Sequence, residues 1–134
     1  MAGFNAPLSF LGISAFMSGW DITGGVANYI GSGDDDLSQD CLPAIGSTVL
    51  IEFYIPRWVS GDLRVFAGAG AYEDVSLSSG LESNLFLEVT GDTVLMFRAI
   101  GEGDFDLDDV SVIDIETGAV LYNTASEDWD RSKS

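Results

Sequence analysis

Aspartate is the residue of this chain best equipped for chemistry. It comes in two clusters, Asp34-Asp35-Asp36 and Asp104, Asp106, Asp108, Asp109. Carboxylate oxygens are hard ligands that suit calcium, which takes about six to eight of them. The spacing is not that of an EF-hand loop, because no glycine and closing glutamate fall in register. Two readings therefore stand: a solvated acidic surface, or a structural calcium site with Asp108 and Asp109 as its ligands. Paired carboxylates also serve glycosidases as acid and base when they face each other across a cleft with one desolvated. No spacing here sets up such a pair, so a non-enzymatic protein is expected.

Other catalytic and binding classes are excluded by composition. The chain has no histidine, which removes the commonest general base and the Ser-His-Asp triad. It has 22 acidic and 5 basic residues in 134, a net charge of −17. That charge repels phosphates and anionic membrane surfaces, so neither nucleic acid nor membrane is an expected partner. Gly68-Ala69-Gly70 lacks the lysine and helix of a phosphate loop and reads as a turn. Cys41 is the only cysteine and reads as a small buried hydrophobe, so no internal disulfide forms.

Aromatic faces suit the C–H faces of sugars, and Trp20, Trp58, Tyr29, Tyr54 and Tyr72 are the candidates for stacking. Core packing is the favoured role of Trp20. Trp58 and Tyr54, near a strand end beside Arg57, are the open cases. Arg57, Arg64 and Arg98 are the basic residues inside the fold, suited to ion pairs or a subunit contact.

The elements that must position these groups are strands. Thr48–Ile55 alternates Val49, Ile51, Phe53 and Ile55 against Leu50, Glu52 and Tyr54, and Pro56 ends it. Val26–Ile30, Leu63–Ala67, Leu85–Val89, Val94–Ala99, Val110–Ile115 and Val120–Tyr122 are further strands. Gly91-Asp92 is a hairpin signal between Leu85–Val89 and Val94–Ala99. Phe105 and Leu107 are out of phase by one residue with Val110 and Val112. A bulge at Asp108-Asp109 returns both pairs to the core. No stretch keeps a helical period. Eight to ten short antiparallel strands imply an all-β sandwich or barrel.

Residues 1–20 carry no charge, but Gly3, Asn5, Pro7, Ser9 and Gly12 interrupt the apolar run, and no basic n-region precedes it. Neither a signal peptide nor a membrane span is expected. The segment is either a buried first strand near Phe10–Phe16 or an apolar arm over Met1–Leu8 that docks on a partner. We divide the chain into an arm or first strand (1–19), a β domain (20–123) and a polar tail (124–134) containing Trp129.

The order of these pieces resembles the jelly-roll carbohydrate-binding modules among the galactose-binding-like β-sandwiches. Gly19-Trp20-Asp21-Ile22-Thr23-Gly24-Gly25-Val26-Ala27 is similar to the opening strand pair of that group, and Leu37-Ser38-Gln39 to its next strand. Thr48–Ile55 resembles the long central strand and Leu63-Arg64-Val65 the one after it. Val94–Ala99 resembles the penultimate strand, and Gly103–Val112 the last core strand. Such domains recur in bacteriophage tail fibres, spikes and capsid decoration proteins, and on secreted glycosidases. They often hold a structural calcium.

A short chain starting at Met1 without a signal is closer to the phage proteins than to the glycosidase modules. The resemblance thus implies a jelly-roll sandwich and a capsid decoration or cement protein on the virion surface, assembled in the host cytoplasm. The alternatives are a glycan- or receptor-binding module of a tail fibre or spike, and a tail or baseplate subunit. Phe4, Leu8, Phe10 and Trp129 are the expected contacts with the major capsid protein or sister copies. Tyr54 and Trp58 are the expected residues for a host surface glycan. Homo-oligomers such as trimers are expected at symmetric capsid positions, though no sequence feature sets their number.

Overall fold

The computed structural model describes residues 19–23 and 26–123. Phe4, Leu8, Phe10 and Trp129 lie outside the described residues, as do the Phe10–Phe16 strand and the arm expected there.

Among the described residues there are nine strands and no helix. They are β1 (Gly19–Thr23), β2 (Val26–Gly31), β3 (Asp35–Asp40), β4 (Thr48–Ile55), β5 (Trp58–Ala67), β6 (Ala71–Val75), β7 (Leu81–Glu88), β8 (Val94–Asp114) and β9 (Val120–Asn123). Every ladder between them is antiparallel. The all-β architecture is the one the alternating patterns predict.

The 21-residue β8 organises the whole arrangement. Along one edge it pairs first with β5 and then with β4. Along the other it pairs in turn with β3, β2 and β9. β6, β1 and β7 complete the sheet through β5, β2 and β4. The result is one sheet that β8 divides into two parts. Half-sheet I holds β1, β2, β3, β5, β6 and residues 94–107 of β8; half-sheet II holds β4, β7, β9 and residues 108–114.

The inner faces of the two parts share a core, which gives the sandwich-like form. Val49, Ile51, Phe53 and Ile55 of β4 are buried, as are Leu63, Val65 and Ala67 of β5. From β8 the buried set is Leu95, Phe97, Ala99, Phe105, Leu107, Val110 and Val112. Phe53 of half-sheet II meets Phe97 of half-sheet I edge to face, with ring centroids 5.7 Å apart. At the β2 side, Trp20, Tyr29 and Phe105 form a triad with centroids 5.5–5.6 Å apart.

The slip in alternation at residues 107–110 is a bulge. Glu52 pairs with Ser111, but Tyr54 pairs with Asp108, so β8 carries one residue more than β4 over that span. Asp109 takes φ 54°, the left-handed region that aspartate tolerates better than most residues. Its N–H donates to Asp108 Oδ1 at 2.8 Å.

Several expectations change. Val94–Ala99 and Val110–Ile115 are parts of one continuous strand, because Ile100–Leu107 also pairs with β5 and β2. β5 begins at Trp58, five residues before Leu63. Gly91-Asp92 does form a turn, with Gly91 at φ 83°. It is not a hairpin turn, since β7 pairs with β4 while the start of β8 pairs with β3 and β5. The turn carries the chain from half-sheet II to half-sheet I. Cys41 is half-buried at the margin of the core rather than enclosed in it.

Candidate functional site

The alternation that buries one face of each strand fixes what the other face presents. On half-sheet II the outward residues fall into registered rows. Phe86 of β7 lies opposite Leu50 of β4, Leu50 opposite Ile113 of β8, and Ile113 opposite Val120 of β9. These four make an apolar row across all four strands. Phe86 and Val120 are 61% and 59% exposed, and Leu50 and Ile113 are half-buried between them.

The next row is polar: Asn84, Glu52 and Ser111. Ser111 Oγ donates to Glu52 Oε1 at 3.1 Å. With its amide oriented to satisfy both ends, Asn84 donates to Glu52 Oε2 at 3.1 Å and to the Ser83 carbonyl at 3.2 Å. The row beyond is Glu82, Tyr54 and Asp108. On the other side of the apolar row, Glu88 lies opposite Thr48.

A shallow depression of about 390 Å³ opens at the bulge end of this face. It is lined by Glu52, Phe53, Tyr54, Glu82, Ser83, Asn84 and Asp109. The bulge makes this possible, because the extra residue puts Asp109 outward beside Tyr54. The depression thus brings Tyr54 together with three carboxylates and an amide. Such a set can hydrogen-bond hydroxyl groups and stack on an apolar ring face.

Asp108 is half-buried, whereas Asp109 is exposed. Burial pushes its pKa up, the nearby Asp109 and Asp106 charges push the same way, and the Asp109 N–H opposes them. Asp108 and Asp109 are thus adjacent but face different surroundings. Among the described residues, no three carboxylate or thiol side chains gather as a metal site.

A second polar cluster sits on half-sheet I. Arg57 donates to Asp104 Oδ1 at 2.6 Å and to Asp106 Oδ2 at 3.3 Å, and Asn28 donates to Asp106 Oδ1 at 2.6 Å. The Asp104 hydrogen bond, then that of Asp106, holds the guanidinium pKa above its ordinary value. Arg64 pairs with Asp74 and Arg98 with Asp36. Each also lies over a ring, Tyr72 at 4.4 Å and Phe66 at 5.0 Å. The three arginines expected in ion pairs are therefore all in them.

The structure separates the candidate aromatics. Tyr54 lines the depression. Trp58 does not: it lies on β5, 36% exposed, with Nε1 donating to the Gly61 carbonyl at 3.0 Å. Trp20 and Tyr29 are buried in the core and offer no face to a ligand. The Trp20 indole donates to the Asp35 carbonyl at 3.0 Å, and the Tyr29 hydroxyl lies within hydrogen-bonding reach of the Gly33 and Gly101 carbonyls, its single proton shared between them.

No protein-family model, curated protein or solved structure matches this chain.

Phe86, Ile113 and Val120 were not among the residues singled out from sequence. Phe86 had a legible signal. In Leu81–Glu88 the outward set is Glu82, Asn84, Phe86 and Glu88, one large aromatic among polar residues. Val120 had none, because β9 is too short for alternation to show.

Proposed function

We propose that this chain is a non-enzymatic structural protein of a bacteriophage virion, a decoration or cement protein on the capsid surface. In this reading the fold is a jelly roll of the galactose-binding-like group. The observation that carries the proposal is the outer face of half-sheet II. An acidic module there presents an apolar row from Phe86 to Val120, framed by Glu88 and Glu52. A contiguous exposed apolar strip, unlike scattered single side chains, marks a surface where something docks. A particle-coating protein needs such an adhesive face, and the acidic remainder disfavours random aggregation.

Phe4, Leu8, Phe10 and Trp129 are further contacts in this reading. Sister copies would meet at symmetric positions, with the major capsid protein beneath them.

The test is to mix the purified protein with particles that lack it, sediment them and count bound copies. Hundreds of copies on tail-less heads are expected. Copies found only with tails would replace decoration by a tail, baseplate or fibre role. No binding to either would overturn the virion reading.

One observation favours a second reading, a glycan- or receptor-binding module. The depression at the bulge places Tyr54 among Glu52, Glu82, Asn84 and Asp109. A glycan array answers this directly. Binding that Tyr54→Ala abolishes, in a chain that still folds, would move the function to this depression.

A further inference from the structure

The apolar row also specifies what should cover it, an inference that rests on the docking face proposed above. Phe86, Leu50, Ile113 and Val120 form a strip one residue wide and four strands long. Ile115, 43% exposed, extends it beside Thr48, whose carbonyl accepts the Ile115 N–H at 3.1 Å. Carboxylates stand on both sides: Glu88 in the row before, Glu52 in the row after, and Glu82 beyond. No lysine or arginine occurs in β4, β7, β9 or residues 108–114. The arginines of the described residues, Arg57, Arg64 and Arg98, are engaged with aspartates away from this strip.

Covering the strip removes water from the flanking carboxylates as well as from the apolar side chains. A carboxylate that loses water without gaining a counter-charge costs more than the neighbouring apolar contact returns. That requirement separates the candidate occupants. A second copy would bring −17 against −17, with Glu88 and Glu52 on both surfaces, inside the screening length of about 8 Å at physiological salt. Residues 1–18 of this chain contain no charged side chain, and residues 124–134 set Glu127, Asp128 and Asp130 beside Arg131 and Lys133 around Trp129, so neither segment brings the carboxylates a net positive charge. An apolar segment edged with basic residues satisfies both requirements.

We infer that the outer face of half-sheet II docks a partner protein presenting an extended apolar strip flanked by lysine or arginine. The charges steer the encounter and set its register. The apolar row supplies the anchors, with Phe86 the largest.

The probe is a labelled synthetic peptide of alternating leucine and lysine, titrated into the full chain by fluorescence anisotropy. Peptides of alternating leucine and glutamate, and of serine and lysine, are its controls. The expected result is saturable one-to-one binding of the leucine–lysine peptide alone. Phe86→Ser and Glu88→Lys should each weaken it by about tenfold or more. Glu73→Lys, on β6 of half-sheet I, should leave it nearly unchanged. Each substituted side chain is exposed, and thermal unfolding checks that the variants fold.

Equal binding of the serine–lysine peptide, or binding unaffected by Phe86→Ser, would overturn the inference in favour of diffuse charge attraction. A dimer seen by sedimentation equilibrium and lost in Phe86→Ser would overturn it in favour of a second copy. Particle sedimentation separates this failure from failure of the virion reading. If wild type and Phe86→Ser coat particles equally, the docking face is wrong and the virion reading stands. If wild type ignores particles but binds the peptide through Phe86, the face stands and the virion reading falls.

Discussion

Gly61 and Gly103 meet backbone to backbone where β5 crosses the middle of β8. A Cβ on Gly61 would lie 2.9 Å from the Gly103 Cα, and one on Gly103 would lie 3.0 Å from the Gly61 Cα. Gly61 also sits at φ 109°, which side-chain-bearing residues rarely adopt. Gly103→Ala should therefore destabilise the fold by about 1–3 kcal/mol through overpacking. Gly61→Ala should cost more, since backbone strain adds to the clash. Urea unfolding of the two variants checks the order, and equal midpoints with wild type would contradict it.

The Trp20–Tyr29–Phe105 triad joins β1 and β2 to β8, the spine of the sheet, and Phe105 is fully buried in it. Phe105→Ala should cost about 3–5 kcal/mol, the range for emptying a buried aromatic site. Phe86→Ala, on the exposed row, should stay within about 0.5 kcal/mol of wild type. Denaturant titration of both separates a core aromatic from a surface one.

Asp109 tests the bulge. Asp109→Val puts a β-branched residue at φ 54° and should destabilise by about 1–2 kcal/mol. Asp109→Gly removes the Cβ penalty and should equal or exceed wild type in stability. If valine is tolerated as well as glycine in thermal unfolding, the positive φ is not what the site demands.

Asp108 gives a dependence on pH. Burial raises its folded pKa above the ordinary 3.8. The protonated form thus favours folding, a contribution present below 3.8 and lost as the pH rises through the raised value. At neutral pH the ionised group opposes folding. Asp108→Asn, which keeps an oxygen to accept the Asp109 N–H, should raise the unfolding midpoint at pH 7. That gain should vanish as the pH falls below 3.8. A gain independent of pH would assign the effect to packing instead.

Arg57 should show a dependence on salt. It lies between Asp104 and Asp106 at the surface, with its side chain 42% exposed. Arg57→Gln should lower the unfolding midpoint at low ionic strength, and the difference should narrow in molar salt as screening weakens the pair. Calorimetric scans at two salt concentrations read this directly.

Different physical signals made different parts of the molecule legible in sequence. Thr48–Ile55 was bounded correctly because one face is fully buried, which forces strict alternation, and because proline follows. The bulge was legible because two buried pairs, Phe105/Leu107 and Val110/Val112, must share a core that a regular strand would deny one of them. The continuity of β8 was hidden, since Gly101 and Gly103 look like breakers. In the structure they let the strand bend and approach β5 without ending. The turn at Gly91-Asp92 was misjudged because local composition specifies a reversal of the chain and not which strand lies next door. β6, with Tyr72, Glu73 and Asp74 exposed, buries too little to leave a period. The apolar row was the hardest to foresee, since its four residues come from four strands and meet only through register.

The spine lies late in the chain. β2, β3, β4 and β5 all finish by Ala67, yet each takes a partner from residues 94–114. On a ribosome these strands must wait for most of the domain to emerge before any can pair with β8. Pairing with β8 is then late, long-range and slow. During that wait, the acidic residues scattered through the early strands keep nascent chains apart.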